Sequence, residues 1–145
     1  MIVLDTTVLV YALGRDHPLR EPCRQLVVSV GQGQVRATTS VETIQEFCQV
    51  RSRRNTPAQA AADARDHALL LRPLLLPEEI DLVAGLSAFG TNGGRLGSFD
   101  AVLGASAARR GLPLASADRG FDLVPGLIRL DPASPSFLED CLAHG

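Results

Sequence analysis

The feature that most constrains this chain is the alternation of short apolar runs with segments of helix length. Met1–Leu4, Val35–Thr38, Leu112–Ala115 and Leu127–Leu130 each read as a short buried strand. Between them lie stretches that carry helix signals. Thr6–Leu13 continues from the first strand as a helical turn. Pro18–Val30 opens on proline and is followed by Gly31 and Gly33. Ser40 is placed to cap a helix running through Arg54, with Ile44, Phe47 and Cys48 on its apolar side. Thr56-Pro57 supplies an N-cap and first position for a helix to about Leu71. Glu78–Phe89 and a Ser98-capped segment ending at Arg110, closed by Gly111, complete the helices. Leu74–Leu76, fenced by Pro73 and Pro77, is either a short strand or a connector. This order predicts an α/β fold in which helices cover both faces of a parallel sheet. Ligands of such sheets sit at the carboxyl ends of the strands.

Size and composition narrow the possibilities. The 145 residues suit one domain, with its core between about residues 2 and 130 and a tail from 131 to 145. Aromatic residues are only 4%, so Leu, Val and Ala must fill the core. The longest uncharged stretch, Leu82–Gly94, is too short and polar to span a bilayer. Met1–Leu13 has Asp5 and no basic residue, unlike a secretory leader, so no membrane association is expected. Cys23, Cys48 and Cys141 are odd in number and form no C-x-x-C pair, which fits buried free thiols in a cytoplasmic protein. His17, His67 and His144 lack the spacing of a zinc site. All 14 basic residues are Arg. Without Lys, a Walker A loop, Schiff-base chemistry and a receiver domain are excluded.

The acids carry the functional signal. Asp5 follows the first strand directly, and Asp118 comes three residues after LPLA. Asp100 falls in the first turn of the helix opened near Ser98, and Glu46 on the helix opened by Ser40. A parallel topology brings these four acids to one sheet edge. Each has an ordinary alternative: Asp5 as a cap, Asp100 as a helix-dipole residue, Asp118 as a turn former. Taken together they require a counter-charge, because two carboxylates about 4 Å apart repel by roughly 4 kcal/mol at an effective dielectric of 20. An all-oxygen set favours a hard cation, Mg²⁺ or Mn²⁺, and such an ion suits phosphodiester hydrolysis. The net charge of −2 argues only weakly against a nucleic-acid substrate, since a bound cation neutralises acids gathered around it. A haloacid-dehalogenase-type phosphatase also begins with a strand ending in Asp. It needs a second Asp where this chain has Thr7, and it needs a Lys.

LDTTVLVYAL, SVETIQEF, FDAVLGASAARRG and LASADRGFD, in this order and spacing, resemble a PIN domain of the VapC toxin type. The resemblance runs from Ile2 to about Leu130, and Asp5, Glu46, Asp100 and Asp118 match the family's acidic positions one by one. It implies a three-layer α/β/α fold and a Mg²⁺- or Mn²⁺-dependent endoribonuclease acting as the toxin of a toxin–antitoxin pair. It also implies RNA as substrate, a cognate antitoxin and a homodimer. A catalytically inert PIN domain that binds RNA or protein is the rival reading.

Further residues are candidates for support. Thr6 and Ser116 adjoin acids and are placed to orient a ligand carboxylate or its water. Glu42 lies four residues before Glu46 on the same helical face and is a dipole residue or a second support; Asp122 either joins the rim of the site or faces solvent. Arg95 and Arg119 flank Asp100 and Asp118 and are the better candidates for RNA contact. Arg53 and Arg54 follow, with helix capping as their alternative.

Overall fold

The computed structural model describes residues 1–145. Four strands, β1 (Ile2–Leu4), β2 (Ala37–Thr38), β3 (Leu114–Ala115) and β4 (Arg129–Leu130), form one sheet in the order β2-β1-β3-β4. Every pairing is parallel, with Ile2 opposite Ala37, Val3 opposite Leu114 and Leu114 opposite Arg129. The strands are shorter than the apolar runs that announce them, because only the last two or three residues of each run enter the ladder. Leu74–Leu76 is a connector that makes a single parallel bridge, Ser40 with Leu75.

Seven α-helices surround the sheet: α1 (Thr6–Leu13), α2 (Arg20–Gly31), α3 (Val41–Ser52), α4 (Pro57–Leu70), α5 (Glu79–Thr91), α6 (Ser98–Arg109) and α7 (Phe137–His144). Strand alternation divides the core into two layers. Ile2 and Leu4 point into a large cluster with Val8 and Leu9 of α1, Leu26 of α2, Phe47 of α3 and Phe137 of α7. Val3 points the other way, with Leu114, into a smaller cluster with Leu103 and Ala107 of α6, Phe121 and Val124. The result is the three-layer arrangement expected from the alternation. None of the helices is long and apolar enough to cross a membrane.

Several boundaries differ from the sequence reading. α2 starts at Arg20, two residues after the proline, and α3 ends at Ser52, so Arg53 is its C-cap and Arg54 lies beyond. Ser98 is the first residue of α6 and not its cap; Gly97 holds the cap position without a side-chain bond. The 131–145 tail folds into α7, and its Phe137 and Cys141 are buried in the larger core cluster. All three cysteines are free. Burial pushes the Cys23 and Cys141 thiols up to about 12, so both remain protonated and inert.

α5 lies outermost, packed on α6. Their backbones approach so closely at Gly85 that a Cβ there would stand 2.6 Å from Val102 Cα. The far ends are tied by Asp81, whose side chain has no solvent exposure and pairs with both Arg109 and Arg110. Burial alone would raise the Asp81 carboxyl, yet the hydrogen bonds from Arg109, Glu78 N–H and Arg110 hold it well below the usual range. Replacing a helical glycine by alanine ordinarily gains up to about 1 kcal/mol. At position 85 the backbone clash outweighs that gain. Gly85→Ala is expected to destabilise by about 1–3 kcal/mol, seen as a lower urea midpoint with the same slope.

Candidate metal centre

β1 and β3 are neighbours at the middle of the sheet, and their following segments carry Asp5 and Ser116–Asp118. Asp5 is the N-cap of α1 and only 2% exposed. Its Oδ2 accepts hydrogen bonds from Thr7 N (3.2 Å), Thr7 Oγ1 (2.7 Å) and Ser116 Oγ (2.8 Å). Asp118 caps a short 3-10 turn, Arg119–Leu123, through a 2.7 Å bond from Gly120 N to its Oδ1. The Asp118 N–H in turn donates to Ser116 Oγ at 2.9 Å. One serine hydroxyl therefore joins the two acids at adjacent strand ends.

Glu46 and Asp100 come from the helices that flank the sheet edge. Glu46 Oε2 accepts from Thr6 Oγ1 at 2.7 Å, which fastens α3 to the start of α1. Asp100 makes no protein hydrogen bond. Its Oδ2 folds back toward the start of α6, where a Cβ on Gly97 would stand 3.0 Å away. Between α3 and α6 runs a cleft of about 500 Å³ lined by Glu42, Gln45, Glu46, Gln49, Ser98 and Asp100 among others, with no basic residue in its walls.

The electrostatics match this crowding. Burial, followed by the charges of Asp5, Glu46 and Asp118, pushes the Asp100 carboxyl up to about 7. Asp5 is raised as well, by burial, with the Thr7 and Ser116 hydrogen bonds opposing it. No three of the acids close into a ready-made ligand cage. The donor set nevertheless fits a hard cation. Asp5, Glu46 and Asp118 each commit one oxygen to protein donors and keep the other unengaged, and Asp100 keeps both. The capping and turn roles of Asp5 and Asp118 are thus compatible with ligation.

The supporting residues sort differently from their order in the chain. Thr6 holds Glu46, while Ser116 holds Asp5 and the Asp118 backbone. Glu42 is exposed on the cleft wall, one turn from Glu46. Asp122 does not join the acids; its carboxylate pairs with Arg129 at 2.7 Å. Arg95 is exposed, with Nε on the Asn92 carbonyl, and Arg119 is exposed beside Asp118. Arg53 and Arg54 lie with Asn55 in a separate shallow depression beyond the end of α3. The sequence reading missed Thr7, whose hydroxyl also accepts from Ala117 N at 3.1 Å. Its signal was its place beside Asp5 at a helix start.

Fold and site together define a parallel α/β domain with an acidic, oxygen-only cluster at the carboxyl edge of its sheet. A PIN-domain model matches residues 2–127, and the chain belongs to the PIN-domain family, on its VapC branch. It is 45% identical over 134 residues to Ribonuclease VapC7 of Mycobacterium tuberculosis, covering 91% of this chain and 92% of that protein. It is 32% identical over 136 residues to VapC ribonuclease Mb1869c of Mycobacterium bovis, covering 90% and 99%. Among solved structures, a chain from "Structure of FitAB bound to IR36 DNA fragment" superposes with a TM-score of 0.68 at 20% identity. That match covers 91% of this chain and 95% of the other, and establishes likeness of fold.

The raised Asp100 carboxyl has a measurable sign. Its folded value of about 7 exceeds an unfolded value near 3.9, so between about pH 4 and 7 the folded state holds a proton that the unfolded chain has released. Stability from this group is full below that window and is lost as pH rises through about 7. In EDTA, the melting midpoint of Asp100→Asn is expected to exceed that of wild type at pH 8, with the gap closing towards pH 5. A gap independent of pH would contradict the coupling of Asp100 to the other acids.

Proposed function

We propose that this chain is a Mg²⁺- or Mn²⁺-dependent endoribonuclease, the toxin of a toxin–antitoxin pair. The observation that carries the reading is the set of unengaged carboxylate oxygens on Asp5, Glu46, Asp100 and Asp118, four acids close enough at the sheet edge for the charges of the other three to act on Asp100. These four residues would hold the cation. When bound, it supplies water activation and charge neutralisation at a phosphodiester. The protein's part is to aim the acids: Ser116 and Thr7 orient Asp5, Thr6 orients Glu46, and Gly120 N–H orients Asp118. A cleft lined by acids and without arginine repels RNA until a cation is present, so the same requirement governs binding and catalysis. Arg95 and Arg119, exposed near Asp100 and Asp118, are the proposed phosphate contacts, with Arg53 and Arg54 beyond the end of α3.

The relatives' ribonuclease names support the activity, and their VapC designation supports a cognate antitoxin. Free thiols fit a cytoplasmic setting. For the homodimer, α5 offers an outer face on which Ile80 is 59% and Val83 64% exposed. This face continues past Leu82 to Phe99, 74% exposed beside Asp100. A second copy seated there would cover the apolar surface and extend a wall of the cleft.

Two measurements test the reading. Incubation with total bacterial RNA is expected to yield discrete fragments with Mn²⁺ or Mg²⁺ and none with EDTA. Asp118→Asn should lower cleavage by more than the roughly 10–100-fold that loss of a ligand's supporting partner produces. A wild-type chain that neither cuts RNA nor binds Mn²⁺ would return the protein to the inert interaction-module reading. Val83→Glu is expected to convert a dimer to a folded monomer by light scattering; a dimer unaffected by that charge would exclude α5 as the interface.

A further inference from the structure

Arg129 stands on β4 with a side chain only 9% exposed, a burial that a guanidinium tolerates when it is fully paired. Its Nε and Nη2 form a fork on Asp122 at 2.7 and 3.2 Å, and Nη1 lies 3.1 Å from Asp131 Oδ2. The informative contact is a third one. Nη1 also donates to the main-chain oxygen of Ser116 at 2.9 Å. Ser116 is the residue whose hydroxyl donates to Asp5 and accepts from Asp118 N, and its own N–H donates to Leu130 O at 3.1 Å. All three polar groups of Ser116 are therefore engaged, the hydroxyl by the acids and the N–H and carbonyl by β4.

Asp122 lies in the 3-10 turn that starts directly after Asp118. Arg129 thus grips the Asp118 segment on both sides, at residue 116 and at residue 122. Gly120, between them, lies tight against another segment, since a Cβ there would come within 2.4 Å of Arg95 O. The segment has one seat, and Arg129 is the side chain that holds both of its ends.

We propose that Arg129 is a positioning residue for the cation: it fixes the loop on which Asp118 stands and, through Ser116, the angle between Asp118 and Asp5. This rests on the metal-dependent reading above. Arg129 itself bonds none of the four acids. An ion pair of merely architectural value would change the melting temperature and leave metal affinity alone, whereas partners that orient a ligand change the affinity itself.

The test is calorimetric titration of Mn²⁺ alone into the full chain, without RNA, alongside circular dichroism. Arg129→Gln is expected to keep the wild-type spectrum and bind Mn²⁺ about tenfold more weakly. Asp122→Asn retains the Arg129–Ser116 contact and should weaken binding by less. Arg109→Gln, which breaks the comparable ion pair to Asp81 at the far end of α6, should bind Mn²⁺ as wild type does. Wild-type affinity in Arg129→Gln, with binding still lost in Asp118→Asn, would overturn the positioning role and leave the metal centre standing. A wild-type chain that binds no Mn²⁺ would overturn both. Should Arg129→Gln not fold, unchanged affinity in Asp122→Asn is the result that rejects the proposal.

Discussion

Mutual repulsion among four carboxylates sharing one sheet edge is the constraint around which this fold is arranged. Asp5, Glu46, Asp100 and Asp118 come from four segments that only the tertiary fold brings together. Burial, followed by the charges of the other three, pushes the Asp100 carboxyl up to about 7. An unbraced cluster would relieve this by letting one acid swing away. Here three of the four are held, and the holding groups are neutral: hydroxyls of Thr6, Thr7 and Ser116 and the N–H groups of Thr7 and Gly120. Neutral donors fix direction without cancelling charge. Arginine in the same places would have quenched the negative potential that attracts a cation.

The chain's arginines are instead directed elsewhere. Arg109 and Arg110 secure the buried Asp81 between α5 and α6, Arg51 secures Asp63 between α3 and α4, and Arg129 secures the loop after β3. These ion pairs tie helix to helix or hold the loop, and they leave the cleft without positive charge. Asp81 shows why pairing matters. It is as buried as Asp5 but sits between two guanidiniums, and its carboxyl is lowered where that of Asp5 is raised.

Much of this plan is legible in the sequence, for identifiable reasons. Strand positions are readable because a parallel sheet covered on both faces demands uninterrupted apolar runs, and IVL and LPLA are such runs. The convergence of the four acids follows from the rule that loops leave a parallel sheet at one edge. What is hidden depends on contacts between distant segments. Thr7 reads as an ordinary helix residue until Ala117 is found beside it, and Asp122 as a rim residue until Arg129 is found beneath it. Ser98 is a plausible cap by local chemistry, but the helix begins one residue earlier and Gly97 takes that place, where a Cβ would crowd Asp100. The tail conceals α7 because Phe137 and Cys141 alone give too faint a periodicity.

The pairing of β1 with β3 also sets a timetable for the molecule. Ser116 Oγ and Asp5 are separated by 111 positions in the chain, and Arg129, which holds the Asp118 loop from behind, comes further on still. During synthesis at about 5–20 residues per second, Asp5 emerges first and then waits several seconds for its neighbours. Contacts of such long sequence separation form late in folding, after the local helices. β4, which holds Ser116 from behind, is made after the Asp118 loop itself. The acidic cluster therefore cannot assemble on a nascent chain before residues 116–130 have left the ribosome, and whatever chemistry it performs begins only after that.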